Sequence, residues 1–179
     1  MTDVARGDGI ELLRRIVRID SRNPSLVPGG PGELALASFL RDTLTSWGLE
    51  ARLQEAAPGR PNVIATLRGS GRRGGGGGGG GRSLLFNGHL DVVAVDGMTH
   101  APFDADERDG RIYARGACDM KGGIAAMCAA AARLRGRLKG DIQVTAVVDE
   151  EWQSIGTRGL IAAGITGDAA VVTRPTGLR

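Results

Sequence analysis

Three short polar segments of this chain carry residue types that could bind a metal ion and activate water. They are His89-Leu90-Asp91, Ala117-Cys118-Asp119 and Asp149-Glu150-Glu151. One imidazole together with several carboxylates is a nitrogen and oxygen ligand set suited to zinc or a similar divalent ion. Residues i and i+2 of an extended strand project to the same side, so the Asp91 carboxylate can lie near the His89 ring and orient it. The adjacent Glu150 and Glu151 allow one carboxylate to bind metal while the other serves as a base.

Each segment also has a common structural explanation. A single His-x-Asp is usually a surface pair, an aspartate before a helix such as Asp119 is most often an N-cap, and consecutive acids after a strand usually form a solvated turn. All three segments, however, fall where strands are predicted to end. Open α/β sheets place their sites at the carboxyl ends of strands, so the combination favours a metal site.

The elements that must position these residues follow from hydrophobic periodicity. Apolar residues recur at helical spacing over residues 8–20 and 32–47, and an alanine-rich helix is predicted over 121–134. Strand-like runs are predicted at 50–54, 62–67, 83–86, 111–114, 142–148 and 169–173. Alternation of strands and helices predicts an α/β fold with mostly parallel strands and helices on both faces of the sheet.

Composition excludes several other classes of protein. The formal net charge is +3, but the basic residues are scattered among acids and aromatic residues make up only 3% of the chain, unlike a nucleic-acid-binding surface. No apolar stretch approaches the length of a membrane span, and the N-terminus lacks a secretion signal. Two cysteines ten residues apart form neither a disulfide scaffold nor a CxxC metal motif. We therefore expect a cytoplasmic protein that binds neither nucleic acid nor membrane.

Glycine is abundant, with 30 residues in the chain, eight of them in the run at 74–81. We predict that the surrounding Arg/Gly segment, 69–82, is a flexible surface loop between two strands. A phosphate-binding loop would require Gly-Lys-Ser/Thr leading into a helix, whereas this run leads into a strand. An RNA-binding Arg/Gly loop is the remaining alternative, and it would show salt-dependent retention on a polyanion.

The strings FNGHLDVV, APFDADERDGRIYARGACDMKGG and VVDEE, in this order, resemble the two-zinc amidohydrolases and metallopeptidases related to acetylornithine deacetylase, succinyl-diaminopimelate desuccinylase, aminoacylase and glutamate carboxypeptidase. The resemblance implies that His89 binds one zinc ion, Glu151 the other, and that Asp119 bridges the two. It also implies that Glu150 is the general base, that Asp91 orients His89, and that the peptide bond after Asp119 is cis. Zinc is the implied cofactor, and cobalt or manganese would suit the same ligands.

The same resemblance implies a hydrolase that cleaves the amide bond of an N-acyl amino acid or a small peptide-like substrate. The chain is expected to be the N-terminal portion of the catalytic domain, residues 1–179, ending before the lid and dimerisation domain through which the family forms homodimers. Arg174 stands where the family has a metal-binding acid, and an arginine has no lone pair to donate. We therefore expect this chain to bind at most one metal ion, weakly, and to be inactive alone. The alternative is a non-catalytic truncated remnant or interaction module.

Overall fold

The computed structural model describes residues 3–71 and 81–175. Its central sheet has five strands in the order β1-β2-β6-β3-β7, and a separate hairpin pairs β4 with β5. The strands are β1 (Glu50–Ala57), β2 (Arg60–Leu67), β3 (Leu84–His89), β4 (Asp106–Arg108), β5 (Arg111–Tyr113), β6 (Ile142–Val147) and β7 (Ala169–Val172). In the central sheet β6, β3 and β7 pair in parallel, whereas β2 is antiparallel to both of its neighbours, β1 and β6. Four strands therefore share one direction and β2 has the opposite direction.

The helices are α1 (Gly9–Val17), α2 (Leu34–Ser46), α3 (Gly122–Arg133) and α4 (Ile155–Ala162), and a kinked turn, Ala117–Lys121, leads into α3. The Asp8 side chain accepts the Glu11 backbone N–H at 3.0 Å and caps the start of α1. Gly48 follows α2 with φ of 88°, a conformation that favours glycine and ends the helix as predicted. The first helix is shorter than the predicted 8–20, since it ends at Val17.

Packing places helices on both faces of the sheet. Apolar residues of α1, α2 and α3, including Leu12, Leu40 and Ile124, form one core with the inward side chains of β2 and β6. On the opposite face, Leu160 of α4 packs with Ile64 and Val147. The predicted α/β class is therefore confirmed, with mostly parallel strands and helices on both sides.

The sheet topology brings two of the polar segments together. In the parallel pair of β3 and β6, His89 lies opposite Val147, so both strands end at the same edge. Residues 89–91 and 149–151 consequently leave the sheet side by side. Gly88 permits this geometry, since a Cβ there would lie only 2.9 Å from the Met120 side chain and 3.0 Å from that of Met127.

The predicted Arg/Gly loop lies between β2 and β3, but its residues 72–80 fall outside the described part of the chain. At its borders, the Gly69 backbone N–H donates to the Asp141 carboxylate at 2.9 Å. Among the described residues, no helix combines the length and apolar character needed to cross a membrane.

Candidate metal centre

The His89 ring lies at the end of β3 and is buried. Its Nδ1 is 2.9 Å from the backbone carbonyl oxygen of Asp91, to which it donates, and its Nε2 is 3.0 Å from Asp119 Oδ1. Glu150 Oε2 lies 3.6 Å from the same Nε2. With Nδ1 held as a donor, Nε2 is the ring nitrogen directed at the carboxylates and available to a metal ion.

Electrostatics favour positive charge at this position. Burial opposes charge on the His89 ring, but the adjacent Asp91 together with Asp119 and Glu150 outweighs burial and raises the pKa of His89 to about 9. Near neutral pH the ring is therefore protonated and Nε2–H donates to Asp119. A metal ion would replace that proton as the positive charge among the acids.

Asp119 lies in the kinked turn that connects Gly116 to α3, and its own backbone is extended, with φ of -114° and ψ of 104°. Gly116 has φ of 78°, and a Cβ there would meet the Val92 side chain at 2.5 Å, so the turn requires glycine. The peptide bond from Asp119 to Met120 is cis, as the resemblance implies. The turn directs the partly exposed Asp119 carboxylate at the His89 ring.

Asp91 is buried, and its carboxylate is directed mainly at the turn after β6. Its Oδ1 accepts the Glu150 backbone N–H at 3.0 Å and its Oδ2 accepts the Glu151 N–H at 3.1 Å. The nearer Asp91 oxygen is 3.6 Å from His89 Nδ1, farther than the Asp91 backbone carbonyl. Burial would raise the pKa of Asp91, but the His89 ring and these N–H donors lower it overall, so the carboxylate remains ionised. Its contact with the ring is thus through the main chain, while the side chain aligns residues 150 and 151.

His89, Asp119 and Glu151 can each offer one ligand atom, and these atoms all lie within 4.8 Å of one another. Burial and the neighbouring carboxylates Asp119, Asp91 and Glu150 raise the pKa of Glu151, with the His89 ring acting in the opposite direction. A divalent cation would relieve this repulsion. The donor types and spacing therefore fit one zinc-like ion.

Arg174 also lies at this site. Its guanidinium forms an ion pair with the Glu150 carboxylate, and its Nη2 is 3.6 Å from Asp119 Oδ2. The chain reaches this position because Gly123 has no side chain: a Cβ on Gly123 would collide with Thr173. An arginine supplies positive charge but no lone pair, so Arg174 cannot complete a second metal site.

Sequence reasoning missed several buried polar residues that support the site. Asn23 belongs to none of the three polar segments, yet its Nδ2 donates to Asp91 Oδ2 at 2.8 Å. Lys121 is fully buried, donates to the Ile16 and Ile19 carbonyl oxygens at 3.0 and 2.8 Å, and has its pKa lowered to about 7 by burial. These contacts link residues about 70 to 105 positions apart, so no local pattern reports them.

This chain is similar in sequence to curated bacterial proteins and in structure to solved metallopeptidases. The chain is 30% identical to a probable succinyl-diaminopimelate desuccinylase of Staphylococcus epidermidis over 98% of this chain and 41% of that protein. It is 36% identical to an N-formyl-4-amino-5-aminomethyl-2-methylpyrimidine deformylase of Halalkalibacterium halodurans over 91% of this chain and 38% of that protein. The crystal structure of the M20 family metallo-carboxypeptidase Sso-CP2 of Sulfolobus solfataricus superposes with a TM-score of 0.75 at 25% identity, over 92% of this chain and 37% of that one.

The chain thus spans about two fifths of the length of the curated relatives it matches. The model of the peptidase family M20/M25/M40 matches residues 85–179, which contain all three polar segments and Arg174. The match covers more than half of the sequence, and the resemblance seen in the three motifs is confirmed. The chain belongs to the peptidase family M20/M25/M40.

Proposed function

We propose that this chain carries the metal-binding part of a hydrolase that cleaves the amide bond of an N-acyl amino acid or small peptide-like substrate. The observation that supports it most strongly is the group of His89, Asp119 and Glu151, whose ligand atoms lie within 4.8 Å of one another beside Glu150. The names of the similar proteins, a desuccinylase, a deformylase and a metallo-carboxypeptidase, are consistent with this substrate class.

The proposed roles divide the site between ligands and a base. His89 through Nε2, Asp119 and Glu151 would hold the ion, which supplies Lewis acidity that polarises an amide carbonyl and acidifies water. Asp91 would keep residues 150 and 151 aligned through their backbone N–H groups. Glu150 would accept a proton on its carboxylate and return it to the leaving amine.

Arg174 opposes both parts of this chemistry in the chain as it stands. Its ion pair occupies the Glu150 carboxylate that should accept the proton, and its charge lies beside Asp119. We propose that the chain binds at most one metal ion, weakly, and hydrolyses such amides slowly or not at all. The same contact favours a second candidate, a non-catalytic member of the family that retains the fold and a single metal site.

Zinc titration of the metal-free chain by calorimetry tests the proposed centre. We expect a stoichiometry of one or less, with binding abolished in His89→Ala and in Glu151→Gln. Glu107→Gln is the matched control. Glu107 lies in β4 and pairs with Arg14 of α1, away from the candidate ligands, so this substitution should leave zinc binding unchanged. Two tight sites would contradict the proposed stoichiometry, and binding that survives both ligand substitutions would overturn the assignment of the centre.

Assays on N-acetyl, N-succinyl and N-formyl amino acids separate the two candidate functions. Metal-dependent turnover that is lost in Glu150→Gln would support the hydrolase. Zinc binding without turnover both in the unmodified chain and in Arg174→Asp, which removes the cation beside Glu150, would support the non-catalytic candidate.

A further inference from the structure

Arg60 is the first residue of β2, and its side chain is 12% exposed. Every N–H group of its guanidinium has a hydrogen-bond acceptor within the protein. Its Nε donates to Glu33 Oε2 at 2.9 Å, and its Nη2 donates to the other oxygen of the same carboxylate. Glu33 is fully buried at the start of α2. This bidentate pair fixes the plane of the guanidinium and leaves its remaining donors directed away from Glu33.

The remaining donors bond to residues outside the candidate ligand set, among them Asp149, which directly precedes Glu150 and Glu151 in the chain. Arg60 Nη1 donates to Asp149 Oδ1 at 3.0 Å and to Ser25 Oγ at 3.1 Å, and Nη2 donates to Asn23 Oδ1 at 3.1 Å. All five N–H bonds of the guanidinium thus have acceptors. Only a planar fork with five donors can serve these groups together.

Asn23 connects Arg60 to Asp91 and Asp149 by hydrogen bonds. Its Nδ2 donates to Asp91 Oδ2 at 2.8 Å and to Asp149 Oδ1 at 3.1 Å. Asp91 in turn accepts the backbone N–H groups of Glu150 and Glu151. A continuous series of hydrogen bonds therefore runs from Arg60 to the backbone of the two glutamates.

Asp149 fixes the other side of the same turn. Its backbone has a φ of 63°, in the left-handed region that aspartate tolerates better than most residues, and its carboxylate is buried. Asp149 Oδ2 accepts the Gln153 N–H at 3.1 Å, while Oδ1 receives Arg60 and Asn23. The turn at 149–153 is thus held from its own carboxylate as well as from Asp91.

Charge gives a second reason for an arginine here. Glu33, Asp91 and Asp149 are three buried carboxylates, and unpaired buried carboxylates are strongly unfavourable. His89 faces Asp91, whereas Arg60 is the cation that contacts both Glu33 and Asp149.

We propose that Arg60 is a positioning residue for the candidate metal centre, fixing through Asn23 and Asp149 the turn that presents Glu150 and Glu151. What this turn does chemically rests on the proposed function, but the positioning itself does not. Arg60 touches none of the three candidate ligands, so it acts only through the residues between them.

The test compares two identical substitutions at the two ends of β2, Arg60→Lys and Arg68→Lys. Arg68 follows the last residue of β2 and pairs with Glu50 and Asp141 at the surface, so its replacement is a matched control. Lysine keeps the positive charge near Glu33, but its single ammonium cannot reach all five acceptors. Arg60→Met, which also removes the charge, serves as a second and more severe variant.

Residue-resolved amide hydrogen exchange of the metal-free chain provides the first readout. We expect the Glu150 and Glu151 amides of Arg60→Lys to exchange about tenfold faster or more, relative to the Val144 and Ala146 amides of β6 in the same variant. General loss of stability would accelerate all four amides together and leave this ratio unchanged. Arg68→Lys should leave the ratio as in the unmodified chain, and an unchanged ratio in Arg60→Lys would overturn the proposal.

Cobalt(II) binding, followed by its visible absorption spectrum, provides the second readout. Loss of a supporting hydrogen bond typically lowers metal affinity about 10- to 100-fold, and we expect a weakening in this range for Arg60→Lys but not for Arg68→Lys. Cobalt affinity equal to that of the unmodified chain would count against the proposal. If the unmodified chain binds no cobalt, the proposed function fails, and the exchange ratio alone still decides the role of Arg60.

Discussion

Arg174 forms an ion pair with Glu150, the residue proposed as the base, and places its second terminal nitrogen 3.6 Å from Asp119 Oδ2. The guanidinium has five N–H donors and no lone pair, so it supplies positive charge to these carboxylates without being able to bind a metal ion. Like charges repel, so a metal ion held at Asp119 would bind against the charge of Arg174. Arg174 thus affects both the proposed base, Glu150, and the number of metal ions that the site can bind.

Replacing this arginine by an acid should reverse its effect. We expect Arg174→Asp to raise zinc affinity about tenfold or more and to increase the stoichiometry from one ion towards two, because a repelling cation becomes an oxygen ligand. Isothermal titration of the metal-free variant measures both quantities. Arg158→Asp, an identical charge change at an exposed position of α4, is the control. Equal gains in both variants would show a general charge effect and contradict a local role for Arg174.

Removing the Asp91 side chain should destabilise the fold as well as the site. Asp91→Ala leaves the part-buried Glu150 and Glu151 N–H groups without an acceptor and removes one of the two acceptors of the Asn23 amide, and we expect a loss of about 3 kcal/mol in unfolding free energy. Urea denaturation followed by circular dichroism measures this loss. Asp42→Ala, which breaks an exposed pair with Arg41, should change stability by no more than about 1 kcal/mol. Similar losses for the two variants would argue against the network.

Two helical glycines should respond to alanine with opposite signs. A Cβ at Gly123 in α3 would collide with Thr173, so Gly123→Ala should destabilise the chain by about 1–3 kcal/mol and displace the segment that carries Arg174. A Cβ at Gly159 in α4 would make ordinary contacts of 3.7 Å or more, so Gly159→Ala should stabilise it by about 0.5–1 kcal/mol. Thermal unfolding of both variants provides the measurement. A stabilising Gly123→Ala would show that Thr173 does not pack against α3.

The two cysteines should differ sharply in reactivity. Cys118 is exposed beside Asp119, whereas Cys128 is buried in α3, where burial raises the pKa of its thiol to about 12. A disulfide reagent at pH 8 should therefore modify one thiol per folded chain rapidly and the second only after denaturation. Rapid labelling of both thiols in the folded chain would show that α3 is not packed as described. Cys118→Ser should abolish the fast reaction.

The amino-acid sequence alone determined the fold class and the identity of the polar segments. Helical and strand periodicities depend on neighbours within a few residues, so they predicted α1, α2, α3 and the main strands, with errors only at their ends. Motifs such as His89-x-Asp91 and Asp149-Glu150-Glu151 are equally local. Their positions after β3 and β6 were therefore predictable, as was the family to which the chain belongs.

The tertiary structure alone decided how these residues are held. Asp91 accepts a hydrogen bond from the His89 ring on its backbone carbonyl, while its carboxylate accepts a backbone N–H of the turn after β6. Arg60 reaches Glu33 and Asp149, residues 27 and 89 positions away, and Arg174 reaches Glu150 because Gly123 admits Thr173. Such contacts depend on how the whole chain packs, since a buried polar group takes whatever partner the surrounding elements bring within about 3 Å. Short-range patterns do not contain those distances, so the sequence could propose the three candidate ligands but not the network of hydrogen bonds around them.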